Sequence, residues 1–219
     1  MRTVKILALS SIAALGLSCS GQPGELALTT FGNAVQAGDE DAAAQVSLAE
    51  FPGKVSTWEI VEIGPESSKP FPLIKLIEER TAMVKELEVM VEKTTVFLQD
   101  NEDLYYEYKP RKDKDPETEF TGKLKEFDEE FSALMKEQTD QDQKIRDAGK
   151  AIDALKKAAA FSTNTPGLGS KFEGDVLERE AKVKLDNKDY TITLKQYALI
   201  NIEHNIRPMT RWIITDIQE

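Results

Sequence analysis

Residues 120–159 read FTGKLKEFDEEFSALMKEQTDQDQKIRDAGKAIDALKKAA, and the spacing of their apolar side chains decides the fold. Phe120, Leu124, Phe127, Phe131, Leu134, Gln138, Gln141, Ile145, Ala148, Ile152, Leu155 and Ala159 recur at intervals of three and four. An α-helix turns once in about 3.6 residues, so these positions form one stripe along a single long helix. Upstream, Leu73, Leu76/Ile77, Arg80, Met83/Val84, Leu87, Met90/Val91, Thr94 and Phe97/Leu98 repeat the pattern. Two sustained heptad-like stripes in one chain predict two helices sharing a seam, an antiparallel helical hairpin or coiled coil. At 1.5 Å per residue the first arm is about 45 Å long and the second about 60 Å, so the pair should project and its arms should be unequal. Pro110 and Pro116 mark residues 100–117 as a linker that is not continuous helix. Gln138 and Gln141 interrupt the seam, where polar residues either fix register or face a gap beyond the shorter arm.

Outside this stretch the pattern changes. Leu28, Phe31 and Val35 predict a short amphipathic helix over residues 25–36, and Gly38-Asp39 separates it from a second over residues 40–48. Residues 55–63 (VSTWEIVEI) read as a strand ended by Gly64-Pro65. Ser67 to Pro72 reads as a helix start, with serines placed to cap and proline tolerated in the first turn. Strand periodicity returns over residues 176–185, turns at residues 186–189, continues to Leu199, and resumes at residues 209–217.

The phrase from Phe31 through Gly38-Asp39 to Ala42-Ala43 resembles the opening helices of nuclear transport factor 2-like domains. The terminal Arg211-Trp212-Ile213-Ile214-Thr215-Asp216-Ile217 resembles their closing strand. The resemblance covers roughly residues 25–63 and 172–219, and the helical insertion departs from the minimal pattern. It implies an α+β fold in which N-terminal helices pack on the concave face of a curved antiparallel sheet, interrupted by the long helical hairpin. The expected domains are residues 25–66 with 171–219, and 67–170 as hairpin and return loop. Insertion there adds little closure cost, because loop entropy grows only logarithmically. A helical domain followed by an unrelated β-meander is the competing architecture, and the two differ on whether Trp58 and Trp212 share a core.

The N-terminus supplies an address. Arg2 and Lys5 precede an apolar run over residues 6–17, too short to span a bilayer, and then Ser18 and the sole cysteine, Cys19. Leu15-Gly16-Leu17-Ser18-Cys19 resembles a lipoprotein lipobox, with Gly16 where leucine is usual. This implies removal of residues 1–18, acylation of Cys19, a tether over residues 19–24, and a cell-envelope location. Ser20 after the cysteine implies the outer membrane, facing periplasm or surface, if the host is Gram-negative. A lone thiol also has no disulfide partner in an oxidising compartment. Each buried methylene of an acyl chain contributes about 0.8 kcal/mol, so several chains make release slow.

Such a mature chain carries 26 basic side chains against 39 acidic, a net charge near −13. That balance, with no basic stripe interleaved with aromatics, argues against nucleic-acid binding. His204 is the only histidine and reads as a turn or strand-end residue. No HExxH, Walker or GxSxG motif and no EF-hand spacing occurs, so no cofactor or metal ligand is assigned, and the acidic clusters read as solvated surface. Enzymes of the resembled fold place an Asp base and Tyr or Asp donors in an apolar cone; Tyr190 and Tyr197 lie on strands here, but no inward Asp can be named. The unusual local patch is Tyr105, Tyr106 and Tyr108 followed by Lys109-Pro110-Arg111-Lys112 at the hairpin tip. Tyr and Arg are enriched in binding hot spots, so Tyr105, Tyr106, Tyr108 and Arg111 are candidate partner contacts; alternatively the rings close the tip against Phe97 and Phe120. The expected function is a lipid-anchored, non-catalytic module that binds or organises an envelope protein through its hairpin. The alternatives are an apolar ligand or acid/base chemistry in the cone, and oligomerisation through the hairpin.

Overall fold

The computed structural model describes residues 21–50, 52–166, 168 and 171–219. The chain is α+β, with one five-stranded antiparallel sheet and one long helix. Helices α1 (Glu25–Ala37) and α2 (Glu40–Ala44) come first; the Asp39 carboxylate accepts from the Ala42 N–H at 2.9 Å and caps α2. Strands β1 (Trp58–Ile63) and β2 (Ser67–Pro70) follow, then α3 (Leu73–Asp100), α4 (Glu102–Lys114), α5 (Lys123–Thr163), β3 (Phe172–Leu185), β4 (Lys188–Asn201) and β5 (Ile213–Gln218).

The centre of the sheet is the β3–β4 ribbon, 14 residues in each strand and paired without a register shift from Phe172↔Asn201 to Leu185↔Lys188. Asp186 and Asn187 both take positive φ (46° and 68°), the geometry of a two-residue primed turn whose twist matches the strands. β1 and β2 lie along the same edge of β3, opposite residues 181–185 and 175–178, so they are two halves of one edge strand broken at Gly64-Pro65. The expected helix start at Ser67 is therefore wrong. Ser67 to Pro70 gains ladder hydrogen bonds from β3, and proline is tolerated there because the strand is an edge. β5 pairs with β4, and the outer edge of β5 is covered in turn by residues 46–48: the Ile214 N–H donates to Val46 and the Leu48 N–H to Ile214.

Burial switches phase along the ribbon. Ala181, Val183 and Leu185 on β3 pair with the half of β4 that buries Ile192 and Leu194, whereas Val176 pairs with Tyr197 and Gly174 with Leu199. Successive strand residues face opposite sides, so this odd-to-even switch in an unshifted ladder means two cores on opposite faces. The first, at the turn end, packs against Leu28, Phe31 and Val35 of α1; Trp58 and Trp212 both lie against it. The Trp58 indole rests on Gly32, where an added Cβ would come within 2.3 Å of its Nε1. The second, at the far end and opposite face, joins Val176, Tyr197, Leu199 and Ile213 to Phe71, Leu73, Ile152, Ala158 and Ala159. The bases of α3 and α5 are thus seated on the sheet.

Beyond those bases the helices run side by side in opposite directions. Gln141 donates to the Met83 carbonyl at 3.2 Å and Gln138 to the Met90 carbonyl at 3.2 Å, while Phe97 stacks on Phe127 with ring centroids 5.2 Å apart. All twelve stripe residues from Phe120 to Ala159 are buried or half-buried. The expected linker is a correction. Residues 102–114 are helix α4, with Pro110 inside it. Proline costs a helix interior about 3 kcal/mol, but the hydrogen bond it removes is to the carbonyl of Tyr106, an exposed residue that water can reach. Glu102 and Asp103 in the first turn and Arg111, Lys112 and Lys114 in the last complement the helix dipole. The Tyr105 N–H donates to the Asn101 carbonyl across the α3–α4 junction at 3.0 Å. The arms are unequal, 28 residues in α3 against 41 in α5: the base of α5 packs on the sheet, and α4 folds back at the tip so that Tyr105 and Tyr108 meet Phe127 and Phe131.

Candidate functional site

Two places on the molecule combine exposed apolar surface with charge. The first is the distal end of the helical pair. Tyr105 and Tyr108, three residues apart, fall on the same side of α4 and turn toward α5. Tyr108 is 7% exposed, with ring centroids 5.2 Å from Phe120 and 5.3 Å from Phe127. Tyr105 is half-buried, 6.0 Å from Phe131. Lys112 lies 3.5 Å from Asp128 beside them. Burial pushes the Tyr108 phenol up to about 12, with Asp128 adding to the shift. Tyr106 falls on the other side of the helix and is 68% exposed, while Arg111 is exposed and pairs with Glu107 at 2.6 Å. Of the four candidate contacts, two rings close the tip and two side chains face outward. Tyr106→Ala is accordingly expected to leave the melting temperature and helicity at wild-type values, a change within about 0.5 kcal/mol by denaturant titration. A larger loss would show that Tyr106 packs.

The second place lies where α1 begins. A groove of about 420 Å³ is lined by Gly24, Leu26, Ala27, Thr30, Val46, Gln196, Thr210, Arg211 and Trp212. Gln196 donates to the Thr210 hydroxyl at 2.8 Å, closing its floor. Leu26 is 81% exposed, off the α1 stripe that enters the core. The connection between β4 and β5, which supplies Thr210, Arg211 and Trp212 to the groove, exposes Ile202, Ile206 and Met209. His204 is in the turn of this connection, and the Asn201 side chain accepts from its N–H at 3.2 Å. Sequence reading passed over this groove; the available signal was a segment of turn composition, NIEHNIRP, carrying two isoleucines that no helix or strand stripe explains, and Met209, expected to open the last strand, lies before β5, which starts at Ile213.

No family model, curated protein or solved structure matches the chain.

Among the described residues no cluster of metal-ligating side chains occurs, and no helix is long and apolar enough to cross a membrane. The buried polar side chains among them are Ser47, Thr94, Gln141, Ser162 and Thr163, none of them a carboxylate. Tyr190 is half-buried at the turn end and Tyr197 is buried in the second core, packing edge-on to Phe71 at 5.9 Å. Burial pushes the Tyr197 phenol up to about 12, and Glu178 adds to it. A phenol whose folded pKa exceeds its unfolded value of 10 stabilises the fold fully below that value and loses the contribution as pH rises toward about 12. Stability by denaturant titration should therefore fall between about pH 10 and about pH 12, and Tyr197→Phe should flatten the fall. An unchanged slope in the variant would remove Tyr197 as its source. Cys19, and with it the expected lipidation, lies outside the described residues, as do Gly167, Gly169 and Ser170 of the expected return loop.

Proposed function

We propose that this chain is a lipid-anchored cell-envelope protein whose α+β head, of the nuclear transport factor 2-like kind, carries a helical hairpin through which it binds another envelope component without catalysis. The hairpin, read as an antiparallel coiled coil, is about 42 Å long over the 28 residues of α3 at 1.5 Å per residue. What carries the reading is the distribution of exposed apolar side chains. The inner stripes of α3 and α5 satisfy each other, yet Val89, Val91 and Val96 on α3, Tyr106 on α4 and Met135 on α5 remain exposed. Val89 and Val96, seven residues apart, fall on one face of α3, and exposed apolar residues sharing a face of a projecting element fit a contact surface. The interrupted-domain reading is supported by Trp58 and Trp212 lying against one core, and by strand pairing of β1 and β2 with β3 across the insertion.

The test is crosslinking of the membrane-anchored protein in its own cells, beside a variant with residues 85–143 replaced by a short Gly/Ser loop. This cut keeps Phe71, Leu73, Ile152, Ala158 and Ala159, which the second core needs. A protein captured only by the intact chain is the expected result. Identical capture by the folded variant would move the contact to the head. Light scattering separates the third reading: a partner-binding hairpin leaves a monomer at all concentrations, whereas pairing between hairpins raises the mass with concentration.

A further inference from the structure

We infer that the groove at the start of α1, together with the β4–β5 connection, is a second membrane contact that seats the head on the bilayer holding the acylated Cys19. This inference rests on the lipid-anchor reading above. Reach comes first. Gly24 is the fifth residue after Cys19, and an extended chain spans at most about 3.6 Å per residue, so Gly24 lies within roughly 18 Å of an acylated cysteine. Gly24 itself lines the groove with Leu26 and Trp212. An anchored head therefore has no orientation that takes this groove far from the headgroups.

Composition comes second. Leu26 and Met209 are 81% and 92% exposed, and Ile206 is 60% exposed, in a head whose other apolar residues mostly enter one of two cores. An exposed leucine and half-buried tryptophan at the groove, with an exposed isoleucine and methionine on the connection that lines it, match the side chains that enter the boundary between headgroups and hydrocarbon.

Charge comes third. The protein is strongly acidic, but residues 201–212 carry Arg207 and Arg211 against Glu203, and Glu203 is held by Lys171 at 2.5 Å. Arg207 is exposed. Glu25 is also exposed beside Gly24 at the groove, so with Lys171 the surface carries three cations against two carboxylates and escapes the repulsion from an anionic leaflet that the acidic remainder meets. Two weak membrane signals acting together hold far better than either alone, because the anchor raises the effective concentration of the second.

The test places a polarity-sensitive fluorophore on Met209→Cys in the full-length protein, expressed in a bacterium and extracted from its membranes. A second chain carries the label at Val89→Cys, exposed on the helical pair. Cys19 is the chain's only native cysteine and is thioether-linked once acylated, so the introduced cysteine is the single free thiol. Both proteins are reconstituted into vesicles of phosphatidylethanolamine and phosphatidylglycerol whose acyl chains carry a nitroxide quencher, and flotation is recorded in parallel. The expected result is flotation of both, with blue-shifted and quenched emission at position 209 and water-like emission at 89. Flotation with equal, water-like emission at both positions overturns the membrane contact while leaving the anchor standing. Failure to float removes the anchor reading and this inference with it. A blue shift that grows with protein concentration without lipid quenching assigns the surface to a second copy of the chain and also overturns the inference.

Discussion

Gly174→Ala is expected to cost more than about 3 kcal/mol and to leave little folded protein at 37 °C. Gly174 sits in β3 at φ 140°, a conformation that L side chains rarely adopt, and a Cβ there would lie 2.1 Å from the Ala198 carbonyl oxygen and 3.1 Å from the Leu199 Cα. Both obstacles are backbone of the partner strand, so no rotamer change relieves them. Moving the strands apart breaks the ladder at the residue whose carbonyl accepts the Phe71 N–H at 2.8 Å, the last bond before the chain leaves the sheet for α3. The second core would open with it. Gly53→Ala is the control, since Gly53 also has positive φ (85°) but nothing among the described residues within 4 Å of an added Cβ. It should cost only about 1 kcal/mol, the penalty of the left-handed backbone alone. Denaturant midpoints of the two variants decide the matter, and equal losses would show that the contact with Ala198 is unimportant.

Ser162→Ala is expected to destabilise by about 2–4 kcal/mol, a large effect for loss of one oxygen. Ser162 is 1% exposed at the end of α5. Its hydroxyl donates to the Arg211 carbonyl at 2.7 Å and accepts from the Tyr197 N–H at 3.2 Å, and its own carbonyl accepts from the Arg211 N–H at 3.0 Å. β5 pairs with β4 only as far as Lys195, so the helix end takes up a ladder position that a longer β5 would have filled. Alanine leaves a buried donor and a buried acceptor without partners. Ser162→Thr, which keeps the hydroxyl, should recover part of the loss. Urea titration followed by far-ultraviolet circular dichroism measures both, and an unchanged midpoint for the alanine variant would mean that water replaces the oxygen.

The long helix was legible because its signal repeats: twelve positions over forty residues agree, and all twelve are covered. α4 was not, because a single proline outweighed the local pattern, whereas the aromatic packing of Tyr105 and Tyr108 against α5 decides the matter through contacts distant in sequence. Had residues 102–114 been taken as helix, the i, i+3 spacing of Tyr105 and Tyr108 would have put both inside and Tyr106 outside. β2 illustrates the same limit. Ser-Ser-Lys-Pro carries the local chemistry of a helix cap, and only its partner strand, more than a hundred residues away, makes it a strand. The burial switch in β3 was partly visible, since Val176-Leu177 and Ala181-x-Val183-x-Leu185 alternate in different phases. The groove at α1 gave no periodic signal, because a surface left outside the core has none.

The two cores lie on opposite faces and at opposite ends of the β3–β4 ribbon. A pull applied through α1 enters the ribbon at its turn end, and a pull applied through the helical pair enters at the far end. Tension between the two then runs along the strands rather than across them. Covalent backbone, the stiffest component available, bears the load, and the inter-strand hydrogen bonds are spared from being peeled apart one after another. Under the proposed function, with the anchor at one end and the bound component at the other, the ribbon works as a tie rod.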